Sequence, residues 1–365
     1  MKEAAIRVAL IAPPFIPVPP LRYGGTELFI ANLAGGLRER GHDAVVYANG
    51  ESEIGVEVRW LYPHSHWPIR GECSEALKEM VHTAWALRDA ARDCDVAHTN
   101  SLCGVPHSGF LNIPLVHTIH HEQVDTLSEF YSHFPDVHYV TISDFQRRRE
   151  KMPLIRTIHH GIDLNRYICC STKRGYLSFL GRIAPIKGPH LAIAVARKSG
   201  VPLKIAGEIQ PMFQDYFNSE IKPHIDGKFI EYIGEAGLEE KNELLAHSIA
   251  LLFPIQWNEP FGLVMIEAMA CGTPVLALPG GSVEEVVHDG VNGYICHSVE
   301  EMVSRVRDIG SHLPPYRVRE YVEQNFSMER MAEDYERLYL EIVSPHATVG
   351  ASSLLSTGDE NPAAA

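Results

Sequence analysis

Two glutamates with seven residues between them frame the segment of this chain richest in possible chemistry: Glu259-Pro260-Phe261-Gly262-Leu263-Val264-Met265-Ile266-Glu267-Ala268-Met269-Ala270-Cys271-Gly272-Thr273-Pro274. A strand-like run ends at Phe253, a loop follows, and the pattern predicts a helix from about Phe261, with Pro260 suited to its first position. The N–H groups at a helix start have no partner within the helix and suit an anion. Glu259 falls on the loop, where it can accept hydrogen bonds from hydroxyls. Glu267 falls two turns into an apolar helix, where a carboxylate is costly unless donors reach it. A ribose diol would supply two such donors. A cap at Glu259 and a half-exposed helix face at Glu267 are the plainer alternative.

A second loop, Gly181-Arg182-Ile183-Ala184-Pro185-Ile186-Lys187-Gly188, joins a predicted strand to a helix begun by Pro189. Its glycines let the backbone turn and approach a ligand closely. Arg182 offers a planar fork for phosphate and Lys187 a point charge. Both positions read as exposed when no ligand is bound, so losing either cation should cost little stability. Tyr23-Gly24-Gly25-Thr26-Glu27 follows the first predicted strand. Thr26 is a candidate cap there, and the loop can turn amides toward a phosphate. It lacks the Gly-x-Gly-x-x-Gly spacing of nicotinamide and flavin sites.

Thr118-Ile119-His120-His121 ends another strand; among 20 histidines, His120 is best placed at a ligand-facing sheet edge. The pairs His120-His121 and His159-His160 cannot readily aim at one ion, so no metal ligand is assigned. Asp93-Cys94-Asp95 has the Asp-x-Asp form of some metal-dependent transferases but reads as the polar entry to a strand. The basic run Arg147-Arg148-Arg149 with Lys151 reads as a solvated helix face, with contact to an anionic ligand as the alternative.

The elements that must hold these loops alternate short β-branched runs with helical patterns, which predicts an α/β fold of parallel sheets covered by helices. Strands are predicted at 7–11, 43–47, 56–61, 96–98, 114–117, 138–141 and 154–158, and again at 176–180, 203–206, 229–232, 250–253, 275–277 and 294–296. The first helix, 27–40, carries the apolar stripe Phe29, Leu33 and Leu37 with Ile30 and Ala34 beside it, and Gly41 can take a left-handed conformation after its end. Further helices are expected near 189–198, 239–247, 262–270, 299–307, 315–325 and 328–343. Each half thus reads as its own doubly wound domain: 1–165, then 166–325, with a helix at 326–343 and a tail, 344–365, expected to be disordered.

A chain of 365 residues with 45% hydrophobic and 21% charged residues has ample material for two cores. A net charge of -14 argues against broad binding to nucleic acid or anionic lipid. No run has the length of a membrane span, and the opening residues lack the form of a secretory signal, so membrane association is not expected and a cytoplasmic protein is. Seven scattered cysteines without Cys-x-x-Cys spacing read as reduced thiols.

Together the motifs resemble glycosyltransferase family 4, retaining enzymes of the GT-B fold. The resemblance spans about residues 6–343 and is most specific at Arg182, Lys187, Glu259 and Glu267. Gly280-Gly281-Ser282-Val283, Glu285-Val286-Val287 and Asp289-Gly290-Val291-Asn292-Gly293 continue it, as do Gly24-Gly25-Thr26-Glu27, Thr118-Ile119-His120, 143–147 and His160-Gly161-Ile162-Asp163. Glu284 stands where many members carry proline, and His160 where they carry asparagine.

The resemblance implies two Rossmann-like domains facing a central cleft, with the last helix crossing back to the first domain. It also implies roles. Arg182 and Lys187, on the loop opened by Gly181, hold the donor diphosphate, and Glu267 holds the ribose. Glu259 and the amides of Phe261, Gly262 and Leu263 hold the donor sugar. Gly25, beside Gly24, gives an amide to the distal phosphate, and His120 lies against the sugar. Catalytic parts thus fall to Arg182, Lys187, Glu259 and His120. The implied activity is hexosyl transfer from a nucleotide sugar to a hydroxyl acceptor that the sequence does not identify. UDP-glucose is favoured and GDP-mannose comes second, with no cofactor and no metal. Other GT-B chemistry, epimerase or phosphorylase, and a non-catalytic sugar-nucleotide-binding module are the alternatives. Oligomeric state is not legible.

Overall fold

The computed structural model describes residues 5–343; the predicted tail at 344–365 lies outside the described residues. Two parallel sheets organise the chain. The first contains β1 (Arg7–Ile11), β2 (Asp43–Ala48), β3 (Glu57–Trp60), β4 (Val96–Thr99), β5 (Leu115–Ile119), β6 (His138–Thr141) and β7 (Ile155–Thr157), in the order β3-β2-β1-β4-β5-β6-β7. The second contains β8 (Leu177–Leu180), β9 (Leu203–Ala206), β10 (Ile230–Tyr232), β11 (Leu251–Phe253), β12 (Val275–Ala277) and β13 (Gly293–Ile295), in the order β10-β9-β8-β11-β12-β13. In both sheets the winding reverses beside the first strand, between β1 and β4 and between β8 and β11. Open α/β sheets bind ligands beyond the strand ends at such a point.

Strand β1 shows how the pleat builds two layers of core. Val8 and Leu10 pack with the helix Gly25–Glu39, while Ala9 and Ile11 face the opposite layer under Tyr47, Ala86 and Leu87. The predicted stripe of the first helix is fully used: Phe29, Ile30, Leu33, Ala34 and Leu37 are all buried. The second sheet has a single core running through Leu177, Phe179, Ile205, Leu251 and Met265. Its central strands β11 and β12, buried at every residue, are continuously apolar, while Lys204 on β9 and Glu231 on β10 reach the surface.

The last helix, Met328–Val343, belongs to the first sheet's core through Met331, Tyr335, Leu338 and Tyr339. It packs closely on the first helix: a side chain at Gly36 would place its Cβ 2.5 Å from Ala332 Cβ. Tyr335 and Tyr339 also hydrogen-bond into the first sheet. Thr118 Oγ1 lies 2.8 Å from the Tyr335 hydroxyl, and His98 Nδ1 lies 2.6 Å from that of Tyr339. The chain therefore crosses back to where it began.

Several local expectations need correction. The first helix starts at Gly25 with Gly24 as its N-cap, so Thr26 lies inside the helix and caps nothing. The helix after β11 is Leu263–Ala270, begun by Gly262 with φ at 81°, so Pro260 sits in the loop before it. Glu267 accordingly lies about one turn into that helix, not two. The 18-residue helix Cys73–Ala90 was not anticipated. It buries only a narrow face, leaving Leu77, Met80 and Val81 exposed, so its apolar residues do not form the clean stripe that marks a helix.

Candidate active site

A cavity of about 320 Å³ lies between the two sheets, walled by loops that leave strand ends on both sides. From the first come Gly24, Gly25, His120, Ile142 and His160; from the second, Gly181, Arg182, Lys187, Glu259, Phe261, Gly262, Leu263 and Glu267. All eleven residues singled out from the sequence thus line one space. Two helix starts from the two units meet at its floor, where a Cβ on Gly25 would lie 3.6 Å from Leu263 Cδ1.

Lys187 does not sit as an exposed cation. Its Nζ lies 2.6 Å from Glu259 Oε2 and 4.5 Å from the Trp257 ring centre, and its side chain is 15% exposed. Burial lowers the Lys187 pKa, and the Glu259 charge works against that. The expectation of a removable surface charge is therefore wrong for Lys187. The reason is tertiary: Gly188 holds φ at 73°, and a Cβ there would meet the Pro254 carbonyl oxygen at 2.0 Å, so this loop packs onto the one that carries Glu259. Arg182 is different. Among the described residues its guanidinium has no hydrogen-bond partner, and it faces the cavity half-buried.

The two carboxylates share a design. Trp257 Nε1 and Lys187 Nζ both bond Oε2 of Glu259, at 3.0 and 2.6 Å, and no described residue bonds its Oε1. The Tyr167 hydroxyl and Lys241 Nζ both bond Oε1 of Glu267, at 2.9 and 3.1 Å, and no described residue bonds its Oε2. Each acid is thus anchored by one oxygen and has acceptor capacity left on the other. Protein donors meet the cost of burying Glu267, for which the sequence offered a ribose diol or a half-exposed helix face, and the side chain is buried. Tyr167 lies 100 residues away in the chain, and no pattern announced it. Trp257 sits two residues before Glu259, where its indole N–H could have been suspected.

His120 Nε2–H donates to Asn100 Oδ1, 2.8 Å away, and the ring stacks on His160 with ring centres 5.5 Å apart. Burial, with His160 nearby, lowers the pKa of His120 well below its ordinary value, so the ring is neutral at neutral pH. His160 packs against Phe29 and Phe261, bridging the two sheets' units with aromatic surface. The sequence marked it only as half of a histidine pair and as standing where related chains carry asparagine, not as a cavity residue.

Other candidates fall outside the cavity. Asp95 precedes β4 and accepts the Arg7 N–H at 2.7 Å, while Asp93 pairs with Arg59 at 2.6 Å. Both are at the sheet edge opposite the ligand edge. Arg147, Arg148 and Arg149 are exposed. Among the described residues, Asp144, His159 and Glu285 form one group close enough to hold a cation. All seven cysteines are free, and no described helix is long and apolar enough to cross a membrane.

Comparison with known proteins matches this geometry. Residues 23–166 match the model described as Glycosyltransferase Family 4, and residues 171–316 that of Glycosyl transferases group 1. Spore coat protein SA of Bacillus subtilis is 24% identical over 92% of this chain and 99% of its own. AviGT4, a glycosyltransferase involved in avilamycin A biosynthesis, superposes with a TM-score of 0.71 at 28% identity, covering 93% of this chain and 98% of its own. HepE of Anabaena, whose structure holds UDP and glucose, has the same fold at 18% identity, with a TM-score of 0.72 over 91% of this chain and 99% of its own. With both halves matched by family models and both sheets facing one loop-lined cavity, this chain belongs to the family 4 glycosyltransferases of the GT-B fold.

Proposed function

We propose that the chain is a metal-independent, retaining hexosyltransferase that uses a nucleoside diphosphate sugar, with UDP-glucose the favoured donor. The observation that carries this reading is the convergence of Arg182 and Lys187 with the half-free carboxylates of Glu259 and Glu267 around one cavity. Arg182 and the remaining N–H donors of Lys187 would take the diphosphate, helped by the N–H groups that open the helix Leu263–Ala270. Glu267 Oε2 would accept from the ribose, and Glu259 Oε1 from a sugar hydroxyl. Neutral His120 would lie against the sugar.

In the transfer step the bond from the anomeric carbon to the leaving phosphate oxygen breaks, and a bond to the acceptor oxygen forms on the same face. The acceptor's proton passes to the departing phosphate. Charge grows on the diphosphate, where two fixed cations stabilise it without a metal. The UDP and glucose bound by HepE support the choice of donor class. The acceptor is a hydroxyl compound entering from the first sheet's side.

Thermal-shift titration with UDP, GDP and ADP tests the donor. The matching nucleotide at 100 times its dissociation constant should add about 2.7 kcal/mol of stability. A flat response to all three would refute the reading. Donor turnover in excess chelator should equal turnover without it. Loss of activity that manganese or magnesium restores would overturn metal independence.

A further inference from the structure

Glu285 takes no part in the steps above, and its carboxylate does not line the cavity. It stands on the short helix Val283–Val286 beyond β12, in the second sheet's unit. Its bonding partners lie in the first. Oε2 accepts the Asp144 backbone N–H at 2.7 Å and lies 2.9 Å from His159 Nε2, while Oε1 accepts the Phe145 N–H at 2.5 Å. The Arg148 guanidinium is 4.0 Å away, and the Glu285 side chain is 16% exposed. Both segments held in this way carry cavity wall: Ile142 lies two residues before Asp144, and His160 directly follows His159. His160 in turn stacks on His120.

We propose that Glu285 is a positioning residue, an interdomain clasp that holds the first domain closed on the second and so sets His160 and His120 against the donor sugar. The assignment of that sugar rests on the function proposed above; the clasp itself rests on the contacts. Charge-assisted bonds to backbone N–H groups are stronger than neutral ones, and two of them, with the His159 ring nitrogen beside them, converge on one carboxylate. Domain closure of this kind is commonly held by a few such contacts. The carboxylate also faces Asp144 and His159 as a possible cation group, but two amide N–H groups already occupy both of its oxygens.

The test compares wild type with Glu285→Gln and Glu285→Ala. Hydrogen exchange of the peptide covering residues 142–146, read by mass spectrometry without substrate, should speed up by about tenfold or more in both variants. UDP affinity by calorimetry should stay within about threefold, because every assigned nucleotide contact except the Gly25 amide sits on the second domain, while turnover falls about tenfold. Glu285→Gln keeps the shape, so it decides the matter if Glu285→Ala fails to fold. Unchanged exchange and turnover with normal UDP binding would overturn the clasp. So would restoration of exchange protection in wild type by zinc after chelation, which would make the group a metal site. If wild type binds no nucleotide, the donor reading fails, and the exchange result still judges the clasp.

Discussion

Lys187 Nζ and Glu259 Oε2 lie 2.6 Å apart, joining the loop after β8 to the loop after β11. The Lys187 and Glu259 side chains are 15% and 8% exposed, so removing the cation strands a buried acid. Lys187→Ala should lower stability by about 3 kcal/mol. Its turnover should fall by a factor of about 10² to 10³, by analogy with lost transition-state donors. Arg182→Ala, which breaks no bond within the described protein, should lose turnover similarly while melting normally. Calorimetric melts and initial rates on both variants check this. An unshifted melt for Lys187→Ala would mean that the pair contributes nothing to the folded state.

Tyr167 anchors Glu267 from the connector between the sheets, 2.9 Å from Oε1. Tyr167→Phe leaves Lys241 as the remaining anchor, so the acid should wander without being lost. KM for the donor should rise about fivefold, the equivalent of about 1 kcal/mol, with kcat nearly unchanged. Steady-state kinetics separates the two constants. A fall in kcat at constant KM would place Glu267 in the chemical step instead of ribose binding.

Stability should fall in mild acid. Burial pushes His82 down to about 4, and His98, His117 and His160 down to about 3. Below the ordinary value of 6.5 the unfolded chain takes up protons that these folded rings refuse. Their contribution is therefore complete above that pH and is lost as pH falls toward 3, at about 1.4 kcal/mol per unit for each ring. Glu27, raised to about 7 by burial, works in the opposite sense, as do Glu150 and Glu208, also raised by burial, while His120, His121, His138 and His190, lowered by burial, add to the four rings. Melting temperatures between pH 7.5 and 5 should drop steadily, and His160→Asn should flatten the slope. A flat profile in wild type would show that these rings reach solvent.

An α-linked nucleotide sugar should give an α-linked product. Inversion needs a base on the face opposite the leaving group, with room between for the acceptor. Under the proposed donor assignment Glu259, tied to Lys187, would stand on the diphosphate's side of the sugar and not opposite it. Proton NMR of the fresh product reads the anomeric coupling. A β-glycoside from an α-glucosyl donor would refute same-face transfer.

Periodicity along the chain was enough to determine both sheets. Buried parallel strands are short apolar runs, and every predicted strand lies within about two residues of an observed one. The cavity lining was legible too, because its motifs are residue types at short spacing, and such spacings survive in one dimension. Partners distant in sequence were not. Nothing near Glu267 pointed to Tyr167, whose bond forms only when the connector packs on the second sheet's core, and nothing near Glu285 pointed to Asp144 and Phe145, whose bonds form only when the second domain docks on the first. Lys187 looked like a free surface cation until the Pro254 carbonyl came to rest over Gly188. Local propensity and pattern are summed along the chain; burial and the choice of hydrogen-bond partner depend on which loops meet in space, and that was decided by packing alone.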